Sequence, residues 1–304
     1  MQEAVSKQVG PIALINSRRI RIWGAAMIVI IGAYLLQGAI PSLSWEIPGF
    51  SEMSRFTVLA IFFSALICEY VDSALGMGYG TTLTPLLLLC GMEPLQVVPC
   101  VLLSEFLTGL SAAMLHHRDG NVDFLRDREA KSTAMWLSLL SVIGTLLAVF
   151  LAIRISKTLL TLLIGVIVIS MGVITLWCAG RQLKYRRNSI ITIGIVAAFN
   201  KGLSGGGYGP LVTAGQVVSG LSPRKAVAVT SLAESLVCIT GLIAYLAAGK
   251  SIGWGLALPL CAGAMMSVPL STLTVKRVSE IAMRRAVGIA SLGLGIFAVS
   301  KIFW

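Results

Sequence analysis

Apolar residues run through this chain in long blocks, at 22–40, 56–75, 81–91, 94–115, 133–153, 158–178, 189–203, 209–221, 225–248, 252–271 and 286–303. Charged residues gather in the short gaps between them. Several blocks reach the roughly 20 residues that a helix needs to cross about 30 Å of hydrocarbon. None alternates with period 2, which argues against a β-barrel. The pattern predicts an all-α polytopic membrane protein. Composition agrees, with 56% hydrophobic and 12% charged residues and a mean hydropathy of +0.88, values that exclude an ordinary soluble domain.

The blocks repeat. Displacing the chain by 129 residues lays Gly76 on Gly205, Gly78 on Gly207, Tyr79 on Tyr208, Gly80 on Gly209, Thr84 on Thr213, Gly91 on Gly220, Pro94 on Pro223 and Glu105 on Glu234. Glycine, tyrosine, proline and glutamate are not interchangeable apolar filler, so the match marks a duplication. Each copy begins with an apolar piece (56–75 and 189–204) that runs into Gly-x-Gly-Tyr-Gly. A short piece follows (81–91 and 210–221), then three longer ones. About 11 residues make only about 17 Å of helix, too short to span. The first two pieces of each copy therefore predict a re-entrant hairpin broken at the glycines. Three crossings remain, and an odd number inverts the second copy. The predicted organisation is an N-terminal tail and extra transmembrane helix (1–45), repeat 1 (56–178) and repeat 2 (189–303) in one membrane domain. Arg18, Arg19 and Arg21 precede the stretch 22–40 as in a signal peptide, but its length predicts an uncleaved helix.

Charge orients this arrangement. With the N-terminus cytoplasmic, 18 of the 24 Lys and Arg residues fall inside and five outside, with Lys201 left at membrane depth. That bias follows the positive-inside rule and places the C-terminus on the periplasmic side. It also accounts for the net charge of +11 without nucleic acid. The six cysteines lie in apolar blocks without CxxC spacing, which predicts no disulfide framework and no metal site. No cofactor motif is present.

Backbone broken at membrane depth is tolerated only where protein or a water-filled cavity satisfies it. The helix that restarts after each break aims free N–H groups and a partial positive charge at it. Two such ends suit an anion. The candidate binding residues are Lys201, Asn200, Ser204, Gly205, Gly206, Gly207 and Tyr208 in the second copy, and Gly76, Gly78, Tyr79, Gly80, Thr81 and Thr82 in the first. Close packing of helices on glycine is the bland alternative. Asp72 is the first-copy counterpart of Lys201 and is a candidate counter-ion or proton carrier. Glu105 and Glu234 either brace the hairpins of their own repeats by accepting N–H bonds or relay protons. Glu69 has Ala198 as its counterpart and is the weaker candidate. His116 and His117 read as a solvated helix end, and 118–131, with four bases and four acids, as an exposed loop.

At these residues the chain resembles the TauE/SafE family of sulfite and organosulfonate exporters. The resemblance rests on the turns GMGYG and GGGYG, the following CGMEP and SGLSP, and HHRDGNVDF at 116–124, and it covers about residues 56–303. Met77 stands where the family more commonly has glycine. The resemblance implies export of a small sulfur-containing oxyanion, such as sulfite or a sulfonate, across a bacterial inner membrane.

Rivals stay in view. Gly-Tyr-Gly resembles the potassium filter TVGYG, but no Thr-Val precedes it and Lys201 would repel cations. An anion channel, or a transporter of another small anion such as a carboxylate, remains an alternative. An enzyme built on Ser204 lacks a nearby histidine base. The resulting expectation is an alternating-access transporter whose partners are a small anion and the lipid bilayer. A homodimer and coupling to protons are both compatible with it.

Overall fold

The structure, a computed structural model, describes residues 53–178, 189–218, 223–274 and 280–300. Among these residues there are ten helices and no strand. They are α1 (Arg55–Leu75), α2 (Tyr79–Leu89), α3 (Pro94–Arg118), α4 (Arg128–Ala152) and α5 (Lys157–Cys178), then α6 (Ser189–Ser204), α7 (Tyr208–Val218), α8 (Pro223–Ala247), α9 (Trp254–Thr274) and α10 (Glu280–Ser300). Six are long and apolar enough to cross a membrane, namely α1, α3, α4, α5, α8 and α9. The protein is a polytopic, multi-pass α-helical membrane protein. The expected helix at 22–40 lies outside the described residues.

The outer surface fits a hydrocarbon solvent. Phe56, Ile67, Met114, Trp136, Leu139, Leu147 and Phe150 all stand exposed. In water such a surface would aggregate; in lipid, apolar side chains can face outward while small and polar residues pack within. Burial ranks the helices. The most apolar stretch of α8 is 72% buried and that of α4 only 39%, so α8 is central and α4 peripheral.

The packing follows the 129-residue displacement, which exchanges α1 with α6, α2 with α7, α3 with α8, α4 with α9 and α5 with α10. Helix α1 packs on α9, and its counterpart α6 packs on α4. Helix α3 packs on α9, and α8 on α4. The pairs α3–α8 and α5–α10 exchange with themselves.

Helices α1 and α6 end just before Gly76 and Gly205, and the short helices start two residues earlier than the hydropathy predicts, at Tyr79 and Tyr208. The reason is local. Gly76 and Gly205 end α1 and α6 at φ 69° and 72°, and Gly78 and Gly207 follow at φ 133° and 83°. These are conformations that side-chain-bearing residues rarely adopt. The next residue is then free to take helical angles at once. The Tyr79 N–H donates to Asp72 Oδ1 at 3.2 Å, which supplies the first turn of α2 with an acceptor.

The polar stretch after α3 also differs from expectation. Helix α3 runs on to Arg118 and α4 starts at Arg128, so the loop covers only 119–127. Asp127 Oδ1 accepts the Ala130 N–H at 3.1 Å, and Asp123 Oδ1 accepts those of Leu125 and Arg126. These aspartates cap backbone rather than merely face solvent. His116, read above as part of a solvated helix end, is 1% exposed, with Asn121 Nδ2 2.9 Å from its Nδ1. The turn folds Val122 back into the core and covers the ring.

Candidate functional site

The two breaks meet. A Cβ built on Gly80 would overlap the Gly205 carbonyl and lie 2.8 Å from Gly206 Cα. A Cβ built on Gly209 would overlap the Gly76 carbonyl and lie 2.8 Å from Met77 Cα. The start of each short helix thus rests on the broken backbone of the other copy, with room for hydrogen atoms only. Thr213 Oγ1 donates to Gly76 O at 3.0 Å across this contact. Its counterpart Thr84 stands against Gly205, but Thr84 Oγ1 is buried without a hydrogen-bond partner.

The candidate binding residues sort by what they touch. Ser204 Oγ donates to Asn200 O at 2.7 Å and accepts the Gly206 N–H at 3.1 Å, which braces the second break. Thr81 Oγ1 donates to Gly78 O at 3.2 Å and braces the first. Thr82 is half-buried beside it, and its N–H donates to Gly78 O at 3.1 Å. Tyr79 and Tyr208 are fully buried. The Tyr79 hydroxyl shares a hydrogen bond with Ser104 at 2.8 Å, and that of Tyr208 a longer one with Ser141 at 3.4 Å. Gly207 sits against Met171 and Asn200.

Lys201 holds the most unusual position. It is 1% exposed on the last turn of α6, and its ammonium lies between two glutamates. Lys201 Nζ donates to Glu234 Oε1 at 2.7 Å and forms a second ion pair with Glu105 Oε2. Glu105 comes from α3 and Glu234 from α8, so three helices meet at one charge cluster. The two glutamates, expected either to brace the hairpins of their own repeats or to relay protons, converge on one lysine. Asp72 stands close enough to feel that lysine, while its Oδ1 accepts the Tyr79 N–H. Glu69 belongs to the same region. It is 2% exposed and accepts from Ser73 Oγ at 2.5 Å and from Thr108 Oγ1 at 3.1 Å. Its spacing from Asp72 and Ser73 on one helical face was the available sequence signal. Ser104 and Thr108, about one turn apart on α3, carried no such signal.

Buried charges are costly unless paired, and ionisable groups at membrane depth usually mark transport pathways. Here two carboxyl groups, those of Glu105 and Glu234, hold one ammonium, and Asp72 lies nearby. No group of three His, Cys, Asp or Glu side chains among the described residues is placed to hold a metal ion.

A multi-pass helical bundle with paired charges buried at two helix breaks has the build of a membrane transporter. The family model described as "Sulfite exporter TauE/SafE" matches residues 61–298, and the chain belongs to that family. It is also similar to a protein of Bacillus subtilis (strain 168) named "Probable membrane transporter protein YtnM", 29% identical over 237 residues, which cover 74% of this chain and 76% of the relative. No solved structure matches the chain significantly.

Proposed function

We propose that this membrane transporter carries a small sulfur-containing oxyanion, such as sulfite or an organosulfonate, outward across the bacterial inner membrane. The family description and the buried cation support that substrate class together. The observation that carries the reading is Lys201, buried within four residues of the second glycine break. An anion bound there would find the ammonium, the Ser204 hydroxyl and the N–H groups opening α2 and α7. Transport by alternating access, rather than catalysis, is the function this arrangement suits.

The reading includes two inverted repeats with re-entrant hairpins, the N-terminus cytoplasmic and the C-terminus periplasmic. The exchange of packing partners at a displacement of 129 residues supports the repeats, and the excess of Lys and Arg in alternate loops supports the orientation. The described arrangement is closed, since a methyl group on Gly80 would already overlap the opposite backbone. Separation of the two breaks is the movement that would admit substrate.

The test is flux of radiolabelled sulfite and taurine into proteoliposomes holding the full chain, with acetate as competitor. Saturable flux that unlabelled sulfite blocks and acetate does not is the expected result. Flux that rises linearly with concentration and follows voltage alone would favour a channel. Acetate blocking as well as sulfite would shift the substrate class to carboxylates.

A further inference from the structure

We infer that anion binding at Lys201 takes up one proton, and that Glu105 is the carboxyl group that receives it. This rests on the anion site proposed above and adds the ion that travels with the substrate.

With both glutamates ionised, the Lys201–Glu105–Glu234 cluster carries one net negative charge. Asp72 and Glu69 lie beside it, and either one adds more of the same sign when ionised. Among the described residues, the Cys238 thiol on α8 and the Tyr79 hydroxyl on α2 also face Glu105, and neither supplies positive charge. An anion entering this volume unaccompanied would meet an ammonium already claimed twice and a surplus of carboxylate.

Geometry then selects the group. Glu105 is 3% exposed and reaches Lys201 through Oε2 alone. Its Oε1 is buried without a hydrogen-bond partner. A buried carboxylate oxygen with no donor is costly, and a proton on that carboxyl removes the charge that makes it so. Glu69, by contrast, has a hydroxyl donor on each of its oxygens.

The exchange balances. An anion and a proton enter; the proton binds the Glu105 carboxylate; the anion takes the place of that carboxylate at Lys201 Nζ. No bond other than O–H forms, and the net charge of the cluster is unchanged. Glu234 keeps its own contact with the lysine throughout. Anion and proton then pass through the conformational change together, so transport of a singly charged anion is electroneutral.

The probe is methanesulfonate, whose own charge does not change across the working pH range. Its binding to the full chain in lipid nanodiscs is followed by calorimetry at one pH in two buffers of different ionisation enthalpy. The difference in heat gives the protons taken up per anion. Wild type is expected to take up about one proton, with affinity weakening about tenfold per pH unit on the alkaline side. Glu105→Gln is expected to bind with no proton uptake and no pH dependence, and Glu234→Gln to retain the uptake. Wild-type binding without proton uptake overturns the inference and leaves the anion site standing. Uptake that persists in Glu105→Gln and vanishes in Glu234→Gln overturns the assignment to Glu105. Failure of wild type and both variants to bind methanesulfonate or sulfite at any pH overturns the anion site and this inference with it.

Discussion

Adding one methyl group at Gly80 tests whether the two breaks truly rest on each other. The new carbon would overlap the Gly205 carbonyl oxygen and stand 2.5 Å from its carbon and 2.8 Å from Gly206 Cα. Non-bonded carbons settle at about 3.5–4.0 Å, so the two backbones must part by about 1 Å. Overpacking costs about 1–3 kcal/mol and occasionally more, and a rigid backbone neighbour puts Gly80→Ala at the upper end, about 3 kcal/mol. At about 2–4 °C per kcal/mol for a large domain, Tm falls by roughly 6–12 °C. Gly209→Ala, against the Gly76 carbonyl, should cost a similar amount. Both single changes open the same contact, so the double variant should lose less than their sum. Gly293 supplies the control, because nothing lies within 4 Å of its added methyl. Gly293→Ala removes only the flexibility of a helical glycine and should leave the protein equally stable or up to about 1 kcal/mol more stable. Thermal unfolding in detergent, followed by tryptophan fluorescence, reads all four variants against wild type. A Gly80→Ala protein as stable as Gly293→Ala would refute the crossing.

Other consequences follow from the charges and hydroxyls. Lys201→Met strands two buried carboxylates and should cost about 3–5 kcal/mol, whereas Lys201→Met/Glu105→Gln/Glu234→Gln should recover most of the loss in the same unfolding assay. Tyr79→Phe leaves the buried Ser104 without its 2.8 Å partner and should cost about 1–3 kcal/mol; Tyr208→Phe, which loses a bond of 3.4 Å, should cost less. The exposed Lys157 beside Glu93 holds its carboxyl below the usual range. A lowered carboxyl contributes stability above its unfolded pKa and loses it as pH falls through the carboxylate range. Solvent and salt screen this pair, so Glu93→Gln should unfold at the wild-type temperature at neutral pH and show the same acid profile.

The helices and their breaks were legible because their causes are local. Hydropathy blocks mark the spans, and Gly76 with Gly78 and Gly205 with Gly207 carry the only side chain, hydrogen, that suits their left-handed backbone. Even there the boundary moved by two residues, since the Asp72 acceptor for the Tyr79 N–H is a matter of geometry at the break. The partners of Lys201 were less legible. Displacement by 129 residues sets Lys201 against Asp72, but symmetry relates positions and does not make them touch. Contact is set by how α3, α6 and α8 cross, which brings Glu105 and Glu234 to the ammonium. His116 misled for a similar reason. Its neighbours Arg118 and Asp119 look solvated in sequence, while the turn at 119–127 folds over the ring.

An anion site at Lys201 is tested most directly by counterflow of radiolabelled sulfite in proteoliposomes. Wild type is compared with Lys201→Met/Glu105→Gln/Glu234→Gln, which removes the ammonium without leaving carboxylates stranded, and with Gly293→Ala. Saturable counterflow is expected in wild type and Gly293→Ala, and its loss in the triple variant at equal folded protein. A folded triple variant that carries sulfite at the wild-type rate would contradict that site.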